Sequence, residues 1–485
     1  MNDSPDNYNL LDKEWIPVLW RDGKTGRVNI KEALTQAGLI RQIAASNPMD
    51  RMAIIRFLLA LLYWCRGNPP NKESATSCDS FPAEWFSKLE ENQDCFKLLG
   101  EGKRFYQCTV SHGEKSADKL SANYLIQEIP TGTNISHFRH STDGVDGLCL
   151  ACCAIGLLRL PLFATSGGRG KPPGINAKPP FYAMPIGVSL AETLRLSWIQ
   201  ISNLGLPAWE RPDLQLPRTS EVPLLRGLTW LPRRVWLDDP KESDRACISC
   251  GRRDRLVLQC IFAGIGSTRT DEGGSGRMWH DPHVVYVRTS KGDVTPLYAM
   301  DALAASDAAS GQWAAIMAAV AQEVADTERN TWVVAFATVK NDKYLEAMEH
   351  LVPSPRAQHD TKEFIAKIET WRKERTDLVR MVRSAKEKES TRKHTELLPL
   401  VAAIRPHVEQ RVSAKARDLL PGGHDAWERA AHEYGAMMGV IAKSLSPGFT
   451  TAALERRRQI ASRSPNMGPR AAQASKTRPQ KGGQQ

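Results

Sequence analysis

The stretch "CISCG" (residues 247–251) decides how the chain is read. Two cysteines separated by two residues and followed by glycine make one half of a tetrahedral zinc site. The matching half is "CLAC" (residues 149–152). Cys149, Cys152, Cys247 and Cys250 together offer four thiolates, the donor set of a closed structural zinc site. The intervening segment, 153–246, holds 94 residues, far more than a zinc finger spans. A metal held this way would not build a small module; it would tie two distant segments of a larger domain together. The competing reading is that Cys149, Cys152 and the adjacent Cys153 are buried apolar thiols. Cys65, Cys78, Cys95, Cys108 and Cys260 lack any such spacing and read as structural.

The segment before the first pair, "TNISHFRHSTDGVDGL" (133–148), is polar with few apolar anchors. Burial alone would not hold it in one conformation, whereas a structural metal at its end, contributing about 10–16 kcal/mol, would. A loop fixed in that way is presented for binding. Phe138 can stack or wedge, and Arg139 and His140 can reach phosphate or base edges.

At 485 residues the chain is too long for one ordinary core and implies two or three domains. Its 41% hydrophobic and 25% charged content is that of a soluble globular protein. The most apolar run, "MAIIRFLLALLYW" (52–64), is shorter than a membrane span and is interrupted by Arg56. Asn47 can cap it, with Pro48 in its first turn and Asp50 beside the positive end of the helix dipole. It reads as a buried core helix. The polar, acidic start "MNDSPDNYNLLD" predicts no signal peptide and a cytoplasmic protein, whose cysteines are thiols or metal ligands, not disulfides.

The net charge of +11 suggests nucleic acid, but its distribution weakens that reading. Eight of the eleven excess charges follow Glu455, leaving +3 for residues 1–455. The tail, 463–485, reads as disordered and basic, able to make only non-specific phosphate contacts. Before it, two regions differ in pattern. Residues 1–352 alternate short apolar runs with Pro- and Gly-rich connections: "EWIPVLWRDGKTGRVNI" (14–30) predicts strand, turn, strand; residues 160–187 predict a long loop followed by a strand; residues 283–300 predict a hairpin. This is an α+β domain. In residues 353–462 the period becomes helical. Phe364, Ile368, Trp371, Leu378 and Val382 share one face. So do Val401, Ile404, Val408 and Val412, and then Trp427, Ala430, Tyr434, Met438, Ile441 and Leu445. With a short fourth helix near 450–460 these predict a four-helix bundle.

Two further motifs bear on chemistry. "SGGRGK" (166–171) is no Walker A loop, because Thr165 and Pro172 stand where glycine and Ser/Thr are required. It is either a flexible turn or a loop whose backbone must approach a ligand closely, Gly167, Gly168 and Gly170 carrying no Cβ and Arg169 supplying charge. "MWHDPH" (278–283) places His280, Asp281 and His283 together. They suit a metal-assisted nuclease, or else a tight Asp-Pro turn with hydrogen-bonding histidines. Upstream, "GSTRTDEGGSGR" (266–277) carries Arg269 and Arg277 in a polar, glycine-rich setting.

Taken in order, "NLLDKEWIPV", "CLAC", "LFATSGGRGKPPG", "CISCG" and "WHDPH" resemble the large subunit of type I-E CRISPR Cascade complexes, the CasA family. The motifs cover most of residues 9–350. The resemblance implies a non-catalytic subunit that recognises the protospacer-adjacent motif in double-stranded DNA. Such a subunit helps open the duplex, contacts the 5′ end of the guide RNA and other Cascade subunits, and recruits a separate helicase–nuclease. It implies a glycine loop at Gly167, Gly168 and Gly170 and a basic finger at Arg269, with Arg277 second. It further places Lys343, in "VKNDKYLEAM" (339–348), at the wedge, and Phe138, Arg139 and His140 in the loop that meets DNA and guide. The alternative of another class is a zinc-containing nucleic-acid enzyme, a nuclease using His280, Asp281 and His283.

Overall fold

A computed structural model describes residues 8–70, 79–110, 117–126, 147–163, 181–210, 222–265, 281–285, 330–339 and 344–353. The chain divides into two units, Met1–Ile365 and Ala366–Gln485, and every described residue belongs to the first. The helical bundle and the basic tail expected beyond residue 353 lie outside the described residues.

The strand–turn–strand expected at the start forms as β1 (Ile16–Trp20) and β2 (Thr25–Val28), antiparallel with Ile16 opposite Val28. Helix α1 (Ile30–Thr35) begins at a capping box. Asn29 accepts from the Glu32 amide at 2.9 Å, and the Glu32 carboxylate accepts from the Asn29 amide at 3.0 Å. Strand β3 (Ile40–Ile43) then pairs with the other edge of β1.

Helix α2 (Pro48–Arg66) is the centre of the domain. Its cap is as expected: Asn47 accepts from the Met49 amide at 2.8 Å, Pro48 occupies the first turn, and Asp50 lies beside the positive end of the dipole. From Met52 to Trp64 every residue is buried, which is what an all-round apolar sequence requires. Phe57 and Trp64 face a cluster of rings. Trp209 stands edge-on to both, at 5.7 Å and 5.6 Å, and Phe105 and Tyr106 complete the side facing Phe57. The short helix α3 (Ser87–Glu91) also packs on α2.

Beyond it come β4 (Ala117–Ser121), β5 (Leu148–Cys149) and α4 (Leu150–Phe163), the helix that packs most extensively on α2. Residues 160–163 were expected to open a long loop; instead they form the last turn of α4, with Pro161 inside the helix. Proline removes one amide donor there, a cost of about 3 kcal/mol in an ordinary helix interior. Burial of Leu157, Leu158, Leu160, Leu162 and Phe163 offsets it. A buried ion pair, Arg159 Nε to Asp50 Oδ1 at 2.8 Å, joins α4 to α2.

The strand expected after the glycine-rich segment is β6 (Phe181–Ile186), followed by α5 (Leu190–Ser197), α6 (Leu224–Thr229), β7 (Arg234–Leu237), β8 (Leu256–Val257), β9 (Gln259–Ala263), β10 (Val284–Val285), β11 (Asn330–Val339) and β12 (Tyr344–Pro353). The strands form four antiparallel sheets, ordered β2-β1-β3, β10-β6-β11-β12, β4-β9-β7 and β5-β8. Antiparallel sheets packed against separate helices are an α+β arrangement, as the sequence predicted for this region.

Because α2 is enclosed on all sides, its core positions carry more stability than its cap. Leu58→Ala should lower unfolding free energy by about 2–5 kcal/mol and Asn47→Ala by about 1 kcal/mol, measured by chemical denaturation.

Candidate functional site

The two CxxC pairs meet. The sulfurs of Cys149, Cys152, Cys247 and Cys250 all lie within 4.8 Å of one another, and Cys149 Sγ stands 3.7 Å from Cys250 Sγ. Four sulfurs bound tetrahedrally to a divalent ion at about 2.3 Å would stand about 3.8 Å apart, so the cluster could hold a metal ion.

Local structure explains how distant segments converge. Cys149 ends β5 and Cys152 sits in the first turn of α4. β5 pairs with β8, Cys149 opposite Leu256, which brings the second pair alongside. That pair lies in a tight knuckle: the Gly251 amide donates to the Cys247 carbonyl and the Cys247 amide to the Arg252 carbonyl, both at 2.8 Å. Gly251 has φ +70°, a conformation other residues adopt only with strain. Ile248 donates to the carbonyl of Gly147 at 3.2 Å, tying the knuckle to the end of the preceding loop. Gly147 has no room for a side chain: a Cβ would meet the Val257 carbonyl oxygen at 2.8 Å.

Crowding couples the four thiols. Cys247 is pulled down to about 6 by hydrogen bonds with Cys149 and Cys152, whereas Cys152 is pushed up, chiefly by its bond with Cys149. Four thiolates can coexist here only with a cation among them. The remaining cysteines behave otherwise. Burial pushes Cys65 up to about 12 and Cys108 to about 11, inert thiols as their spacing implied. All nine cysteines among the described residues are free of disulfides.

The "WHDPH" motif resolves into a second buried cluster. Asp281 accepts from Arg56 in a bidentate pair, Nη1 to Oδ1 and Nη2 to Oδ2, both at 2.7 Å. Oδ1 also accepts from the His283 amide at 2.9 Å. Arg56 Nη1 lies 2.8 Å from His283 Nδ1. A guanidinium has no acceptor, so Nδ1 is the acceptor and the imidazole proton is on Nε2. All three side chains are at most 2% exposed. Burial pushes His283 down to about 3, with the Arg56 charge adding to the effect. Asp281, despite burial, is held below the usual carboxylate range by Arg56. Both carboxylate oxygens and one imidazole nitrogen are therefore engaged inside the core, which is the hydrogen-bonding role for this motif. His280 lies outside the described residues.

Arg56 is the member of this cluster that the sequence reading passed over, noted only as an interruption of an apolar run. An arginine in the middle of an otherwise apolar helix was itself the signal, since such a charge needs a partner.

The other expected site residues, Phe138, Arg139, His140, Gly167, Gly168, Arg169, Gly170, Arg269, Arg277 and Lys343, lie outside the described residues. Their stems do not. Gly147 follows 127–146, Phe163 and Phe181 flank 164–180, and Ile265 and Asp281 flank 266–280. Val339 and Tyr344, cross-strand partners, flank 340–343.

The buried neutral histidine gives stability a definite pH dependence. Between its unfolded value of 6.5 and about 3, the unfolded chain binds a proton that the native state does not. Stability therefore falls as pH drops through that window, by up to about 1.4 kcal/mol per unit. Unfolding free energies measured from about pH 6 to pH 4 should fall more steeply in the wild type than in His283→Gln, by about one proton's slope. Parallel profiles would mean that His283 is not buried neutral.

The family model for CRISPR-associated protein Cse1 matches residues 9–437. The CRISPR-associated protein CasA/Cse1 of Thermus thermophilus is 28% identical over 296 residues, 54% of this chain and 56% of its own length. The match thus spans little more than half of that curated relative. Among solved structures, Thermobifida fusca Cse1 is similar with a TM-score of 0.70 at 19% identity, over 96% of this chain and 98% of that one. A chain of a CRISPR RNA-guided surveillance complex is similar with a TM-score of 0.67 at 16% identity, over 94% of this chain and 100% of that one. The chain belongs to the CRISPR-associated Cse1 (CasA) family.

Proposed function

We propose that this chain is the large, non-catalytic subunit of a type I-E CRISPR Cascade complex, acting in the cytoplasm in defence against foreign DNA. It recognises the protospacer-adjacent motif of double-stranded target DNA, helps start unwinding, contacts the guide's 5′ end and neighbouring subunits, and recruits a helicase–nuclease. Family membership supports the assembly. The observation that carries the site reading is the four-cysteine cluster: it joins the stretch from Gly147 to Cys152, directly after the polar segment bearing Phe138, Arg139 and His140, to the knuckle that precedes β8. A metal there would be structural, with four protein thiolates and no open position for a substrate. Four soft sulfur donors in a tetrahedral set suit zinc.

The DNA contacts proposed are Phe138, Arg139, His140, Gly167, Gly168, Arg169, Gly170, Arg269 and Lys343. The minor groove is about 6 Å wide, so a backbone without side chains can enter where an ordinary loop cannot. A long cation beside it can hydrogen-bond the groove's acceptors. The nuclease alternative is disfavoured, because Asp281 and His283 direct their lone pairs at Arg56 inside the core and not at a metal or substrate. No helix among the described residues is long and apolar enough to cross a membrane.

Purified protein should carry about one zinc per chain by elemental analysis. Cys250→Ser should lower that content and Cys260→Ser should not. Loss should steepen on acidification, since protons compete for the thiolates. Zinc content unaffected by Cys250→Ser would remove the metal from this cluster.

The DNA reading is tested with the assembled complex and duplexes differing only in the motif beside one guide-matched target, at fixed salt. Gly168→Val should abolish motif-dependent binding by steric exclusion with zinc content unchanged. Arg269→Ala should cost about 1–3 kcal/mol on the preferred motif and less on a scrambled one. Equal losses on both duplexes would reduce Arg269 to a phosphate contact.

A further inference from the structure

Arg56 touches more than Asp281 and His283. Its guanidinium carbon lies 5.2 Å from the centre of the Tyr182 ring, within cation–π range. Tyr182 is the second residue of β6, just after segment 164–180. Its hydroxyl donates to the Leu162 carbonyl at 3.0 Å, and its ring stands edge-on to Phe163 at 5.3 Å. Leu162 and Phe163 are the last residues before that segment. The residues that flank the glycine-rich segment are thus bonded to each other, and Arg56 lies over the ring of the same tyrosine.

On its other side Arg56 grips Asp281, the first described residue after segment 266–280. The same stem is tied to β6 as well: the Ala183 amide donates to the His283 carbonyl at 2.8 Å, and Val284 pairs with Tyr182. One side chain from the middle of α2 thus touches Tyr182, Asp281 and His283, and through Tyr182 the stem at Leu162–Phe163 as well.

We infer that Arg56 is a positioning residue for motif specificity, a buried anchor that fixes the glycine-rich segment and the Arg269 segment relative to each other. The inference rests on the proposal that both segments read DNA. One planar cation serves both stems because it can bond a carboxylate through its edge while presenting its face to an aromatic ring. An ammonium is a point charge and cannot make the two parallel bonds to Asp281 while also lying over the ring. Recognition by a degenerate groove code depends on where two short segments stand, so a shift of their common base changes which motifs fit. Phosphate contacts tolerate such a shift.

The test uses the assembled complex, with a randomised motif beside one guide-matched target, at fixed salt. It reads the ratio of affinities for preferred and scrambled motifs, together with zinc content and thermal stability of the isolated subunit. Arg56→Lys keeps the charge but loses the fork; the ratio should fall by about ten-fold, while affinity for scrambled duplex changes less than about two-fold. Arg56→Met/Asp281→Leu removes the pair without leaving a buried charge unpaired, and the ratio should fall again although the protein folds and holds zinc. Tyr182→Phe keeps the ring and removes only the bond that closes the glycine-rich segment; a smaller loss, about two- to five-fold, is expected. That variant keeps the inference testable if Arg56→Lys fails to fold. Folded, zinc-loaded double variant and Tyr182→Phe proteins with an unchanged ratio would overturn it. Gly168→Val and Arg269→Ala are measured alongside: if they lower the ratio and the anchor variants do not, only the anchor fails. If none lowers it, the DNA reading fails as well.

Discussion

A guanidinium buried in the core helix is the constraint on which the rest of the domain turns. Removing Arg56 from water is expensive, and only a carboxylate in bidentate geometry with further hydrogen bonds makes it tolerable. Asp281 meets that requirement from 225 residues away. The strand that follows it, β10, pairs with β6, whose Tyr182 meets Leu162 of α4 and Arg56 of α2. Breaking the pair from either side leaves the other charge stranded, a cost of about 3–5 kcal/mol. An apolar contact would stabilise as much but would tolerate sliding. A forked pair fixes both angle and distance, which matters more for a stem than for a core.

The four-cysteine cluster solves the same problem at another stem by different chemistry. Segments poor in apolar residues cannot order themselves by burial, because each residue fixed loses about 1–2 kcal/mol of backbone entropy. Their ends must be held by something directional. At Gly147 to Cys149 it is a set of thiols that only a cation can keep ionised together; at Asp281 it is a cation already in the protein. Both devices join segments distant in sequence, and both sit where a polar segment enters the packed domain.

What the sequence revealed follows from how local the physics is. The capping of α2 by Asn47 and Pro48, and the strand–turn–strand at Trp15 to Val28, depend on neighbours within a few residues and were legible. The CxxC pairs were legible for another reason: thiolate spacing is dictated by the metal, so two halves advertise each other across any gap. The last turn of α4 was missed because Pro161 is a strong local signal against helix, overridden by tertiary burial that no local rule contains. Arg56 was read as an interruption, and Asp281 and His283 as catalytic candidates or a turn. Each half of that ion pair is ambiguous alone. Unlike the cysteines, a carboxylate in an Asp-Pro turn does not announce that its partner is an arginine on a distant helix. Buried salt bridges leave no spacing rule behind.

Rigidity at these stems also bears on how a reader of the proposed kind could discriminate at all. In the minor groove A·T and T·A present nearly the same acceptors, and G·C differs by one amino group. A backbone that enters the groove therefore selects mainly by what it collides with. Collision discriminates only if the colliding element cannot retreat. A glycine-rich segment is the softest backbone available, and left to itself would yield to a wrong base pair at little cost. Softness at the tip must be matched by stiffness at the base. The bond from Tyr182 to Leu162, the Arg56 fork and the thiol cluster supply it, each drawing on a core built around α2. On this view the unusual expense of burying an arginine in an apolar helix is not spent on stability, since a well-packed apolar residue would serve that at least as well. On the proposal above, its use is to tie the residues flanking both segments to the core.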